Sequence, residues 1–530
     1  MKKIKYFITG VLILFFSYGC SEDFMERYPY GALSPDKYYK TASEAEYAVN
    51  SCYTQLRFPN NFWASGYRIF GNYLCDDLSQ NSRWPDLQQG NITPSDWHLV
   101  DGVWVRAYPG IARCNTAIEG IENMTDDMID PEEKSARLGE ARFIRGWYYF
   151  RLVRLYGDVP LILAPVDASD DASLYPTRTA AADVYSQGII PDMEFAAANC
   201  PTSYDSPDDA NRITSGAANA FLCLVHLNLD NWTEAETFGK AVVNSGEYLL
   251  LDDFEKINHE FYEFNKESIF EISYNRTYMN WNNRYYGTLE GNFVRGGIYT
   301  THSFTSMDLR DAFTLIDGSD ITDDPIGIYN PDEFWKNRDP RFDFSYFTPL
   351  DTLVDKSGNT VGYDINWVFD KNALVDFQKH VIYYGEDIYN TGLNMIEMRY
   401  AEHLLNLAEA LIMQDKFTEA ATYINQVRAR ARNYALADPG RYNPNGLAPE
   451  QVMPDITISD RDDGMKKLRY EKRVELAVED ERGYDLRRWG IEEQTWAAVQ
   501  GFTWDDKFKL LPMPQSALDQ NPNLTQNTGY

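Results

Sequence analysis

Histidine, cysteine and positive charge are all in short supply in this chain. The six histidines, His98, His226, His259, His302, His380 and His403, match no H-E-x-x-H or other metal-binding spacing. No G-x-S-x-G elbow, phosphate-binding loop or dinucleotide fingerprint occurs. These absences speak against motif-bearing hydrolases, nucleotidases and dehydrogenases. Lysine and arginine number 49 against 80 aspartates and glutamates, a formal charge of −31. Such a surface repels nucleic acid and anionic lipid headgroups. This much acid allows a calcium ion, but no EF-hand spacing of oxygen ligands places one, and no cofactor is implied. Cys20 lies near the N-terminus. The other cysteines, Cys52, Cys75, Cys114, Cys200 and Cys223, are odd in number and specify no disulfide framework. Cys223, between Leu222 and Leu224, reads as a small buried apolar residue. No run is long enough to span a bilayer; the apolar stretch Tyr6–Tyr18 is too short.

Aromatics, by contrast, are abundant at 15%. They crowd the segment from Gly139 to Pro160, with Phe143, Trp147, Tyr148, Tyr149 and Phe150 interleaved by Arg142, Arg145, Arg151 and Arg154. Asp130 as N-cap, Pro131 at the first helical position and Glu133 in a capping-box-like position predict a helix from there to Gly157. That helix is buried on most sides, its arginines paired to carboxylates of other helices.

Two stretches have the period of tetratricopeptide-like helical hairpins. The first, Ser215 to about Asn244, turns at Asp230-Asn231; the second, Met398 to about Arg432, turns at Gln414-Asp415. Further helices are predicted at 179–199 and 463–480. Such units bury their faces only by stacking on neighbours. The intervening 255–395, and the excursion 58–101, are rich in Gly, Pro, Asp, Asn and aromatics with little helical period. Ser268–Ser273 alternates as a strand does. The chain therefore divides into a signal-like segment 1–19, a helical region 20–254 with the excursion 58–101, a loop-rich region 255–395, and a helical region 396–530. The fold class is mainly α, a hairpin scaffold carrying a loop-rich, irregular ligand-binding half. Glu471, Glu475, Glu479 and Asp485 recur at helical spacing with Arg473, Arg482, Arg487 and Arg488, which makes them an ion-pair network rather than a catalytic pair of acids.

The segment 139–160 is similar to the signature of the SusD/RagB family, surface nutrient-binding lipoproteins of Bacteroidota. Other blocks follow in the family's order: Tyr108-Pro-Gly-Ile-Ala-Arg-Cys-Asn115, Gly216-Ala217-Ala218, Ile269-Phe270-Glu271-Ile272, Arg338-Asp339-Pro340-Arg341, and Arg399-Tyr400-Ala401-Glu402 with Ala408-Glu409-Ala410. Then come Glu471–Ala477, Arg482–Trp489 and Leu511-Pro512-Met513-Pro514 near the end. The resemblance implies a non-enzymatic binding protein, a SusC-like TonB-dependent transporter as partner, and a tetratricopeptide-like half facing that transporter.

The N-terminus agrees. Lys2, Lys3 and Lys5 precede the apolar run, and Ser17-Tyr18-Gly19-Cys20 looks like a lipobox, with Tyr18 departing from the usual small residue. Lipidation is expected at Cys20; several acyl chains anchor firmly where one is marginal. The acidic Glu22-Asp23 resembles the surface-export signal of such lipoproteins, so the expected location is the outer membrane's outer face.

Sugar rings offer apolar C–H faces rimmed by hydroxyls, so their sites combine flat aromatics with amides and guanidinium groups. Eight aromatics fall between Tyr274 and Phe304, alternating with asparagine and arginine. The candidate ligand residues are Tyr278, Trp281, Asn282, Arg284, Tyr285 and Tyr286 there, and Trp63, Asp77, Arg83 and Trp84 in the earlier excursion; Trp281 is the first choice. Trp104 reads as core. Three functions follow: capture of oligosaccharide for a transporter, capture of peptides by the same architecture as RagB-like members, and, less favoured, a surface glycosidase.

Overall fold

The computed structural model describes residues 38–56, 67–78, 85–96, 103–274, 305–346, 348–349, 379 and 393–530. The signal-like segment and Cys20 lie outside them.

Helix α1 (Ala42–Leu56) and the short α2 (Tyr67–Tyr73) precede two long helices, α3 (Val103–Glu122) and α4 (Pro131–Tyr156). The α4 ends are as the sequence reads. Asp130 accepts from the Glu132 and Glu133 amides, and Gly157 closes the helix at φ 71°. The Glu133 carboxylate faces Arg137 at 3.7 Å. All six α4 aromatics, Phe143, Trp147, Tyr148, Tyr149, Phe150 and Tyr156, are buried. Its arginines find their carboxylates: Arg142 on Glu122, Arg145 on Asp192, Arg151 on Glu397 and Glu481, and Arg154 on Glu481. Trp104 is core, edge-on to Tyr156.

From α4 the layer continues through α5 (Ile190–Asn199), which follows directly on a π turn at Tyr185–Ile189. It then runs through the first hairpin, α6 (Ser215–Leu227) and α7 (Trp232–Ser245). The antiparallel pair β1 (Ser268–Ile272) and β2 (Met395–Arg399) follows in sequence, with Glu271 opposite Ile396. The second hairpin is α8 (Tyr400–Ile412) and α9 (Phe417–Ala437), and α7 packs on α8 across the intervening chain. The scaffold is thus continuous in space and interrupted in sequence, as the hairpin period predicts. One detail differs: Met398 and Arg399 belong to a strand, because β1 captures their backbone before the helix starts at Tyr400.

Helix α10 (Arg461–Glu475) stops short of the predicted 480. Val478 and Asp480 take left-handed φ of 58° and 77°, a costly state for a β-branched residue. The cause is α2. Asn72 bonds Asp480 through both side-chain and backbone groups, at 2.5 and 3.1 Å. Gly71 lies so close that a Cβ there would sit 1.6 Å from the Asp480 carbonyl oxygen. The chain unwinds to make that contact before α11 (Arg482–Trp489) begins. The excursion 58–101 is accordingly not all loop, since α2 is docked on this turn.

The predicted carboxylates do form a buried ion-pair network, but with distant cations: within the predicted set only Asp485 and Arg488 pair among the described residues, while Arg473 and Arg482 turn to Asp76. Arg399 reaches Glu267, Glu475 and Glu479 at 3.0, 2.7 and 2.6 Å. Arg341 reaches Asp339, Glu471 and Glu475 at 2.6, 2.5 and 3.3 Å. Arg430 pairs with Glu267 and Glu475, and Lys379 with Glu479. The five described cysteines are free buried thiols.

Candidate functional site

Of the ten ligand residues proposed from sequence, nine lie outside the described residues: Trp63, Arg83, Trp84, Tyr278, Trp281, Asn282, Arg284, Tyr285 and Tyr286. The tenth, Asp77, is a correction. It is 3% exposed and its carboxylate holds Arg473 at 2.9 Å. It serves to fasten α10, and no ligand can reach it.

What the structure adds is a cleft lined by Leu56 and Tyr274, the described residues that precede the segments 57–66 and 275–304. It encloses about 530 Å³, within the range of small-ligand sites. One wall is the face of α1 bearing Glu46, Asn50, Tyr53 and Thr54, residues three and four apart. The chain leaves the end of this wall, Leu56, into the segment that carries Trp63. The floor is Asp208, Asp209, Asn211 and Arg212. Arg212 staples that floor down: it bonds Glu46 at 2.7 Å, Asp209 at 2.5 Å and Glu140 at 3.0 Å. Tyr53 completes the staple, donating to Glu140 at 2.8 Å while accepting from the Ile213 amide at 2.8 Å. Burial pushes its phenol well up, so it stays a donor.

The opposite wall is Glu263, Phe264, Glu271, Ser273, Tyr274 and Asn394. Asn394 organises it. Its amide N–H donates to Glu263 at 2.5 Å, its side-chain nitrogen to Glu271 at 3.0 Å, and its oxygen accepts from the Tyr274 amide at 2.9 Å. Tyr274 is the first aromatic of the dense window. The chain thus enters that window from the cleft wall, and Asn394, 120 residues on, pins the same wall.

Phe264 stands between this cleft and a second cavity of about 180 Å³, lining both, as do Asn211, Arg212 and Glu271. Its φ is 52°, uncommon for a bulky residue and a mark of functional sites. Glu271 holds it there by accepting the Phe264 amide at 2.9 Å. Phe264 is 40% exposed, near Tyr262 at 45% and Phe261 at 65%. Burial pushes the Glu271 carboxyl above its usual range. The sequence held a signal for this wall, the run Phe261-Tyr262-Glu263-Phe264 inside a loop-rich region. Neither Arg212 nor Asn394 had one, since each acts through partners far away in the chain. Among the described residues no group of His, Cys, Asp and Glu is arranged to hold a metal ion.

A stacked-hairpin scaffold carrying a cleft lined by aromatics, amides and carboxylates is the architecture of a binding protein. The chain belongs to the SusD/RagB family: the SusD family model matches residues 266–530. A second model, described as starch-binding and associating with the outer membrane, matches 33–227. SusD-like protein P2 of Formosa agariphila is 26% identical over 99% of this chain and 100% of its own length. Among solved structures, a SusD-like protein of Bacteroides fragilis superposes with a TM-score of 0.74 at 24% identity, covering 93% of this chain and 98% of that one. A laminarin-binding SusD-like protein gives 0.70 at 22% identity, over 93% of this chain and 100% of that one.

Proposed function

We propose that this protein is a lipoprotein, anchored at Cys20 on the cell surface, that captures oligosaccharide and delivers it to a SusC-like TonB-dependent transporter without cleaving it. The observation that carries the reading is the cleft, lined by tyrosines, asparagines and carboxylates. Aromatic faces take the apolar side of a sugar ring, and amides and carboxylates take its hydroxyls. Family membership supports it, and so does the laminarin-binding relative.

Affinity electrophoresis of protein beginning at Ser21, in gels cast with starch, laminarin and other polysaccharides, tests capture. Retardation by at least one polymer is expected, reduced in Trp281→Ala. Release of reducing ends during incubation would instead indicate a glycosidase. Delivery predicts co-purification with a transporter from outer membranes, and anchoring predicts loss of the protein from the membrane fraction in Cys20→Ala.

The acid lining favours one second reading, capture of peptides with basic side chains. Binding on a peptide array with no glycan binding would decide for it.

A further inference from the structure

The buried polar groups of the second hairpin, well away from the cleft, bring a lysine amine against a carboxamide. We propose that Lys472 and Asn406 condense spontaneously into an intramolecular isopeptide bond, which ties α10 covalently to α8 and releases ammonia.

Such a bond needs an amine held against an amide carbon, a base and an acid beside them, and a site closed to water. Lys472 Nζ donates to Asn406 Oδ1 at 2.9 Å, which sets the amine against Cγ. Lys472 is 3% exposed and Asn406 0%. The Trp489 ring lies over the amine, 5.5 Å from Nζ to its centre. Holding two groups this way is equivalent to a concentration on the order of 10⁵ M or more. Among the described residues nothing accepts a hydrogen bond from the buried Asn406 Nδ2. An orphaned amide nitrogen is costly in a core. It is accounted for if that nitrogen is the leaving group.

Two carboxylates flank the pair, and their surroundings drive them apart. Asp485 lies 2.7 Å from Nζ. Burial would raise its pKa, but Lys472 and Arg488 outweigh burial and pull it to about 2, so it is ionised and can accept a proton. Glu402 sits one turn before Asn406 on the same face of α8. Burial and Glu481 push it up to about 8 against the opposing pull of Lys472 and Arg399, so it carries a proton at neutral pH. Two acids separated in this way divide into a base and an acid.

Atoms and protons balance. Asp485 takes one proton from the Lys472 ammonium, and Nζ attacks Cγ of Asn406. Glu402 gives its proton to Nδ2 and recovers one from Nζ as the Cγ–Nδ2 bond breaks. Ammonia departs with the proton that Asp485 held. The Nζ–Cγ bond replaces Cγ–Nδ2, and no oxidant or other reactant takes part.

The test is the denatured intact mass of protein beginning at Ser21, followed over prolonged incubation at neutral pH. The expected mass is one ammonia below that of the sequence. A tryptic digest should hold a branched peptide that joins the α8 segment bearing Asn406 to the α10 segment bearing Lys472. Asn406→Ala and Lys472→Met should keep the mass of their sequences, a result that does not depend on how well either folds. Glu402→Gln keeps the side chain's shape and removes the acid, so it should lose ammonia roughly a hundredfold more slowly, while its melting temperature at pH 5 shows it folded. Wild-type protein that retains its full sequence mass overturns the proposal. So does a loss of ammonia that survives Asn406→Ala or yields no branched peptide. A Glu402→Gln variant that reacts at the wild-type rate overturns the role of Glu402 as the acid.

Discussion

The two helical hairpins share a turn and differ in what they bury. Each reverses on an aspartate in the left-handed region, Asp230 at φ 56° and Asp415 at 60°, with the next amide bonded back to the end of the inner helix. In the first, the inner helix α6 buries Ala217, Phe221, Leu222, Leu224 and Val225, with the Cys223 thiol and His226 its buried titratable side chains. In the second, α8 is buried along its whole length, and Glu402, His403, Asn406 and Glu409 are inside with the leucines. Those polar groups have distant partners. Asn406 accepts from Lys472 at 2.9 Å, Glu409 pairs with Arg488 and accepts from Trp489 at 2.8 Å, and His403 meets the Gly239 carbonyl at 3.0 Å. The first hairpin is generic packing. The second is a junction, where β1, the 338–341 turn, Lys379 and α10 are fixed by charge.

The comparison breaks most visibly at Arg399, the β2 residue that leads into the second hairpin. It bonds three carboxylates while 1% exposed. Removing one partner of a buried pair strands the others, so Arg399→Ala should cost about 3–5 kcal/mol. Arg399→Lys should also be costly, because one ammonium cannot reproduce the guanidinium fork. The matched swap in the first hairpin, Leu222→Met, should cost less than about 1.5 kcal/mol. Urea unfolding midpoints measure all three. A Leu222→Met penalty as large as that of Arg399→Lys would erase the distinction.

The hairpins meet at Gly239. A Cβ there would lie 2.9 Å from Leu407 and 3.2 Å from the Cys223 sulfur. Gly239→Val should therefore cost about 1–3 kcal/mol by overpacking, read as a fall in melting temperature.

Glu402 sharpens the contrast through pH. Burial and the nearby Glu481 push its pKa up to about 8. A raised carboxyl pKa stabilises the fold at low pH, and that contribution is lost as pH climbs from the unfolded value near 4.5 to about 8. Glu479 runs the other way. Burial alone would raise it, but Arg399 and Lys379 outweigh burial and pull it to about 2. Its contribution is present above the unfolded value and is lost as pH falls toward about 2. Melting temperature should thus peak in mildly acidic buffer. Glu402→Gln should raise it at pH 8 by a few degrees, with little change at pH 5. Equal effects at the two pH values would show that Glu402 is ionised throughout.

Periodicity made the scaffold legible. Spacings of three and four gave both hairpins, and Asp130, Pro131 and Gly157 gave the ends of α4. The misplaced boundaries came from contacts between distant segments, which no local pattern encodes: β1 turning Met398 into strand, and α2 ending α10 at Glu475. The same limit governed the site. Aromatic density drew attention to the 274–304 window, and Tyr274 does line the cleft. Asp77 was misread because an aspartate beside aromatics resembles a sugar contact until Arg473, nearly 400 residues later, is seen to occupy it. The staple through Arg212 and the pin at Asn394 depend wholly on tertiary placement.

The turns themselves give the smallest and cleanest comparison. An aspartate in the left-handed region tolerates what most residues do not, and glycine tolerates it better while losing more entropy on folding. For Asp230→Gly these terms nearly cancel, so stability should rise by no more than about 0.5 kcal/mol. Asp415 has the same backbone but accepts from Arg461 at 3.0 Å across an exposed pair. Such pairs are worth about 0–1 kcal/mol. Asp415→Gly should therefore fall below Asp230→Gly by that amount at low salt, and the gap should close in 1 M salt as the pair is screened. A gap that persists at high salt would mean that the two turns differ in backbone strain, and that their likeness in φ hides a difference in how each hairpin is held closed.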